Sequence, residues 1–211
     1  MLLNTVSTAI SAFVFVIPVL LTTSLMMSSL INFASRVNFM IGLGLPHCQE
    51  TPSMIDAHAF RRACSKFATG ITIAAVIAPD GKPHGLTVNS FTSVSLSPPM
   101  VSVCIDHKAK VYDYFRHAAC FGVSILSEKQ LDMSNRFAAR GENRFHNVDW
   151  HAGKSGSPLI EGALATFDCE VDQIVNAGDH TIFIGKVRAL EFGEGMPLLY
   201  FASGYQTLSN E

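Results

Sequence analysis

Between His84 and Asp106 the chain reads HGLTVNSFTSVSLSPPMVSVCID, and in its middle Ser90, Thr92, Ser93 and Ser95 interleave with Phe91 and Val94. A strand, a polar turn and a second strand of this composition line up backbone amides and small hydroxyls, donors suited to a flat, phosphate-bearing ligand. The same pattern equally suits hydroxyls that face water on an edge strand. Further along, Gly178, Asp179 and His180 form a turn in which glycine permits a tight backbone and the imidazole can orient a ligand. The alternative there is a surface histidine beside a capping aspartate. Arg144 and Phe145 offer a guanidinium for a phosphate and a ring for stacking, or plain packing at a helix exit.

Other chemistry-bearing residues group less productively. Gly153, Lys154 and Ser155 resemble the end of a phosphate-binding loop, but the position five residues before Gly153 is Val148, so the motif fails. The eight histidines show no HExxH spacing and pair with no closely spaced cysteines, so no metal centre is expected. Five cysteines, Cys48, Cys64, Cys104, Cys120 and Cys169, are odd in number and lie in no CxxC pair, which fits a reducing, cytoplasmic setting. Cys104 reads as a packed core thiol. With 15 Lys and Arg scattered among 17 acidic residues and a net charge of −2, the chain has no basic stripe for nucleic acid.

The elements that must position these residues are mostly strands. Ser53 and Asp56 are helix-start signals, and Phe60, Ala63, Cys64 and Phe67 recur on one helical face before Thr69 and Gly70 end it. Residues 71–78 are a β-rich apolar run, 79–82 a turn, and 84–90 the returning strand of a hairpin. After Pro98 and Pro99 comes the apolar run 100–105. Val111, Tyr114, Phe115 and Ala118 then mark a second helix, and 120–126 another strand. Ser127 and Gln130 form a capping-box pattern opening a helix to about Ala139. Ala163, Ala165, Phe167, Cys169 and Val171 alternate with Thr166, Asp168, Glu170 and Asp172, predicting one buried and one wet face. Residues 176–179 turn the chain, 181–190 run back, and 197–201 add a last strand. Six or seven strands without βαβ alternation predict a mainly β protein, a small antiparallel barrel with a few short peripheral helices.

The 211 residues suit one domain plus an appendage. No Asp, Glu, Lys or Arg precedes Arg36, and residues 9–21 are almost wholly apolar. Two readings stand for this extension, residues 1–53. Either it is a membrane or signal-like segment anchoring the chain at the inner membrane, or it is translated from a wrongly chosen start ahead of Met54. Residues 39–51, with Gly42, Gly44 and Pro46, read as linker, and 54–211 as the globular domain.

The run HGLTVNSFTSVSLSPP resembles the flavin reductase family. So do the opening Phe67, Ala68, Thr69, Gly70, Ile71 and Thr72, the Arg144 and Phe145 pair, the Gly178, Asp179 and His180 turn, and Pro197, Leu198, Leu199 and Tyr200. The likeness covers residues 60–208. It implies an FMN-binding split barrel that reduces FMN or FAD with NADH or NADPH, works as a homodimer, and supplies reduced flavin to a separate monooxygenase. A tight FMN-binding module or redox partner without NAD(P)H turnover is the other reading. The resemblance sets the flavin along Thr87, Val88, Asn89, Ser90, Ser93, Val94 and Ser95, and His180 with Asp179 beside the nicotinamide. Aromatic residues Tyr200, Phe201 and Tyr205 would seal a subunit contact. One segment departs from the family: residues 106–111 carry Ala109 and Val111 where relatives often have phosphate-binding hydroxyls, leaving Lys108 and Lys110 as point charges near a helix start.

Overall fold

The computed structural model describes residues 55–141 and 143–208; the apolar extension, the linker, Ser53 and Met54 lie outside the described residues. Seven strands form one antiparallel sheet: β2 (Thr72–Ile77), β3 (Pro83–Val88), β4 (Thr92–Leu96), β5 (Pro99–Asp106), β6 (Cys120–Ile125), β9 (Ala165–Ala177) and β10 (His180–Phe192). Their spatial order is β3-β2-β6-β9-β10-β5-β4, which makes β3 and β4 the two outermost strands. Only Asn89, Ser90 and Phe91 join those two strands. In a flat sheet six strand spacings would set them about 29 Å apart. Four Cα steps reach about 14 Å at most. The sheet therefore has to roll until its edges meet.

Strand pairing does not complete that closure. Thr92 pairs with Ser102, so residue 90 falls opposite Cys104 on β5, and there the Ser90 side chain replaces a backbone rung. Its hydroxyl donates to the Cys104 carbonyl at 3.1 Å and accepts from the Cys104 amide at 2.9 Å. The result is a split barrel with a side-chain stitch at its seam.

The barrel interior is packed with Val76, Val88, Val103, Ile105, Phe121, Val123 and Phe183, drawn from β2, β3, β5, β6 and β10. Helix α2 (Tyr112–His117) sends Phe115 into this core, 5.6 Å from the Phe183 ring. A second core lies on the other face of β2, where Ile73 and Ala75 meet Phe137 of helix α3 (Leu131–Ala138) and Ile160 of β8 (Pro158–Ile160). Strand β2 is thus buried on both faces, which explains why 71–78 is an unbroken apolar run. The capping box is present: Ser127 and Gln130 open a 3-10 turn, Glu128–Gln130, that leads into α3.

Three expectations change. The alternation along 163–171 does not leave Thr166 and Asp168 wet, because β7 (Trp150–Ala152), β8 and the 153–157 loop cover that face; Thr166 is 5% and Asp168 0% exposed. The Asp168 carboxylate accepts from the Ser155 amide at 2.7 Å and from the Ser155 hydroxyl. A Cβ at Gly153 would sit 2.7 Å from the Asp168 carboxyl carbon, so the glycine clears room for this carboxylate. Helix α1 (Ala57–Cys64), capped by Asp56 accepting from the Ala59 amide at 3.0 Å, buries none of its residues among those described, and Phe60 and Phe67 are exposed. Finally, the last strand continues into a hairpin. Strand β11 (Leu199–Phe201) pairs with β1 (Thr69–Gly70) and with β12 (Gly204–Gln206) across a turn that holds Ala202 and Ser203 at positive φ.

Gly122 on β6 is the tightest point of the barrel wall, because a Cβ there would run into the Pro158 carbonyl oxygen of β8. Backbone cannot swing aside as a side chain can. Gly122→Ala is expected to lower stability by about 2 kcal/mol or more. Gly70→Ala, with nothing within 4 Å of the added methyl, should stay within about 0.5 kcal/mol of the parent. Urea midpoints of the two variants check this, and equal midpoints would refute the contact.

Candidate functional site

At one end of the barrel, the β9–β10 hairpin folds over the exit of β5. His180, first residue of β10, pairs with Ala177 on one side and Asp106 on the other, and Gly178 turns the chain at φ 65°. His180 Nδ1 lies 2.7 Å from Asp179 Oδ1, which aims the ring's Nε2 away from that carboxylate. The hydrogen bond from His180, and then its charge, hold the Asp179 carboxyl below its usual range, with Lys108 adding to the effect. The loop after β5 is bound to the same tip: the His107 amide donates to the Asp179 carbonyl at 3.0 Å and the Lys108 amide to Asp106 Oδ1 at 2.8 Å. Lys108, Asp179 and His180 are therefore neighbours, though about 70 residues apart in sequence.

The hydroxyl-rich segment divides by role. Thr87 donates to the Ser134 carbonyl at 2.7 Å and so ties β3 to α3, Val88 is buried in the barrel, and Ser90 is the seam stitch. These three serve the fold through their side chains. Ser90 keeps one lone pair after donating once and accepting once. Asn89, Ser93 and Val94 are exposed, and Ser95 is half-buried. The β4–β5 register shifts between Ser93 and Ser95, which bulges Val94 out of the ladder. As outermost strands, β3 and β4 direct alternate amides away from any strand partner among the described residues. Ser95 pairs with Met100, six positions from Asp106 along β5, so it lies about 20 Å from the hairpin tip.

Arg144 and Lys110 belong to a third region, an open groove of about 850 Å³ with Gly85, Tyr114, His84 and Trp150 in its walls. Arg144 Nη1 donates to the Gly85 carbonyl at 2.8 Å, while Nε and Nη2 donate to the Ala139 carbonyl at 3.1 and 2.8 Å. Partial burial lowers its pKa, yet a guanidinium remains charged at any physiological pH. Phe145 packs edge-on to Phe137 at 4.9 Å and to Trp150 at 5.9 Å, largely buried in the second core while also lining this groove. The groove holds a further aromatic pair, His84 and Tyr114, with ring centroids 4.4 Å apart. Sequence reading passed over both, one as a strand residue and one as a helix-face residue.

The thiols are spectators. Burial raises the Cys104 pKa, and burial with the Asp168 charge pushes Cys169 up to about 12. Neither is a nucleophile at neutral pH.

Residues 64–209 match the family model for the flavin reductase like domain. A probable flavin reductase of Rhizobium meliloti is 43% identical over 74% of this chain, which spans only 50% of that protein. Among solved structures, the flavin reductase of styrene monooxygenase from Pseudomonas putida S12 is 39% identical, with a TM-score of 0.66, covering 72% of this chain and 98% of its own. An NADH:FAD oxidoreductase of Streptomyces globisporus, solved with NAD and FAD fragments, is 37% identical with a TM-score of 0.68, over 73% of this chain and 93% of the other. The family match covers all seven strands of the barrel and both sides of the seam, and the chain belongs to the flavin reductase family.

Proposed function

We propose that this domain is an NAD(P)H:flavin oxidoreductase that reduces FMN or FAD with NADH or NADPH. The observation that carries the reading is the pairing of Asp106 with His180, which brings the cationic loop of Lys108 and the oriented imidazole to one end of a barrel whose seam strands have no second strand partner among the described residues. The residues present fit a flavin: Lys108 and Lys110 offer charge to a phosphate, and the strand-edge donors suit the rim of a flat heterocycle. Bound flavin would supply the hydride acceptor, N5, for the hydride leaving nicotinamide C4, so no acid–base triad is required.

The chain's own residues then bind and orient. Those backbone amides of the 87–90 stretch that point away from β2 would face the edge of a bound ring and stabilise negative charge there. Asn89, Ser93, Val94 and Ser95 line the edge strand beside it, with Ser93 and Ser95 offering hydroxyls that make no side-chain hydrogen bond among the described residues. Arg144 and Phe145 act one step back: Arg144 fixes the carbonyls that shape the groove, and Phe145 supports it from the core. His180, steered by Asp179, meets the dinucleotide.

Reduced flavin is proposed to pass to a separate monooxygenase, as the name of the Pseudomonas relative suggests for that protein. A homodimer is proposed because Phe60, Phe67, Leu96 and Phe192 are each at least 60% exposed on the described chain. Tyr200 and Tyr205 instead pack on the second core, with the Tyr205 hydroxyl 2.9 Å from Ser134 Oγ. A cytoplasmic location agrees with the free state of Cys64, Cys104, Cys120 and Cys169. No helix among the described residues is long and apolar enough to cross a membrane.

Full-length protein mixed with NADH and excess FMN in air is expected to bleach the 340 nm absorbance through many turnovers. A single stoichiometric turnover would favour the tight FMN-binding module, and none would refute the reductase. His180→Ala should raise the Michaelis constant for NADH about five- to tenfold, the worth of one hydrogen bond, while flavin affinity holds. An unchanged constant would remove His180 from the site. Lys108→Ala and Lys110→Ala should each weaken flavin binding about tenfold, with a shallower salt dependence than the parent, measured by flavin fluorescence; a loss that ignores salt would contradict the phosphate role.

A further inference from the structure

Beneath the hairpin tip lies a hydroxyl with every hydrogen-bonding position in use. Thr181, the residue after His180, is 0% exposed. Its Oγ1 donates to Asn176 Oδ1 at 3.0 Å, across the β9–β10 hairpin. The same oxygen lies 2.9 Å from His107 Nε2 and 3.1 Å from the Tyr112 hydroxyl. A threonine hydroxyl has one proton and two lone pairs. When its proton goes to Asn176 Oδ1, its two lone pairs are left for donors, an Nε2–H of His107 and the Tyr112 hydroxyl. The two donating rings also pack against each other, with centroids 4.8 Å apart.

We propose that Thr181 is the positioning residue that locks the loop of residues 106–110 to the hairpin carrying Asp179 and His180. Its three partners come from the three segments that must agree: Asn176 from β9, His107 from the loop and Tyr112 from the start of α2. One backbone bond, from the His107 amide to the Asp179 carbonyl, joins loop and tip directly. The β5–β10 ladder ends at the Asp106–His180 pair, and beyond it the buried hydroxyl adds contacts to the His107 ring and to Tyr112 at the start of α2. Resting on the reductase reading above, the inference is that flavin-side Lys108 and nicotinamide-side His180 are held in one frame by a side chain that touches neither ligand.

Three variants of the full chain test this: Thr181→Val, which keeps the shape and loses the hydroxyl; Thr181→Ser, which restores it; and Tyr112→Phe, which removes one donor. Hydrogen exchange of the ligand-free protein reads the lock itself. The His107 amide and those of residues 177–181 should exchange at least tenfold faster in Thr181→Val, at near-parent rates in Thr181→Ser and in between for Tyr112→Phe. With ligands, Thr181→Val should weaken FMN binding and raise the NADH Michaelis constant together, each about tenfold, with turnover number reduced less than threefold and both constants recovered in Thr181→Ser. Unchanged exchange at His107, a serine variant that behaves like valine, or a loss confined to one ligand would overturn the proposal. Should Thr181→Val fail to fold, the Tyr112→Phe exchange pattern decides alone. A parent protein that turns over no NADH refutes the reductase reading, whereas the exchange and FMN-binding arms still judge the lock.

Discussion

Three residues between β3 and β4 impose the architecture. Opposite edges of a seven-stranded sheet cannot be joined by Asn89, Ser90 and Phe91 unless the sheet rolls through nearly a full turn. Rolling creates an inside, and the inside demands apolar side chains from every strand that faces it, which is the composition of the first core. The same short crossing leaves too little chain to build a regular ladder at the seam. Ser90 solves that problem with its side chain, bonding both backbone groups of Cys104. A seam stitched rather than zipped leaves β3 and β4 as outer strands with no second strand partner among the described residues. Fold closure and an open strand edge thus follow from one constraint.

A second constraint follows from burial on both faces. Strand β2 has no wet side, and the first half of β9 has almost none, since Thr166 and Asp168 are buried, Asp168 against the 153–157 loop. A buried carboxylate is costly unless its oxygens are bonded. Ser155 supplies an amide and a hydroxyl to Asp168, and Ser155 Oγ is in turn 2.9 Å from Ser157 Oγ. The loop that sequence inspection rejected as a phosphate binder thus has a role after all, holding a carboxylate instead of a phosphate. Past Asp172 the outgoing strand β9 is exposed, whereas the returning strand β10 keeps Thr181, Phe183 and Gly185 buried and pairs with β5, so His180 stands half-buried at an anchored tip.

The strands were legible because the apolar runs and turn residues that specify them are local. The 71–90 hairpin, the 120–126 strand, the capping box at Ser127 and the turn at Gly178 appear where the pattern sets them. What escaped reading depends on neighbours distant in sequence. Asp168 looks like a solvent-facing residue until β7, β8 and the 153–157 loop arrive to cover it. Ala202 and Ser203 take positive φ, which neither residue type advertises, so the hairpin to β12 was invisible. Phe60 and its helix have the spacing of a packed face yet bury no residue among those described, and Phe67, beyond the helix end, is exposed as well. Site residues divide the same way. Asp179 and His180 are a contiguous signal in a turn, whereas the roles of Thr87, Ser90 and Phe145 turn on Ser134, Cys104 and Phe137, which no local pattern connects to them.

This division explains why polar residues in the site region are so often spent on structure. Hydride transfer to a flavin asks the protein for distance, orientation and a modest field, since the heterocycle itself takes the electrons. No side chain need carry a perturbed proton, and the described site residues with resolved shifts are only Asp179, lowered by its histidine, and Arg144, lowered by burial. Precision must come instead from rigid placement of backbone and rings. Arg144 spends three donors on two carbonyls, Thr87 one on Ser134, Ser90 both its roles on Cys104, and Thr181 all three positions on Asn176, His107 and Tyr112. Apart from the bonds of Arg144 to Ala139 and of Thr181 to Asn176, which are local, these join elements that lie far apart in sequence, and their sum is a frame that ties those elements together. A saturated hydroxyl under the hairpin thus fixes the elements around it and keeps no free position to offer a ligand.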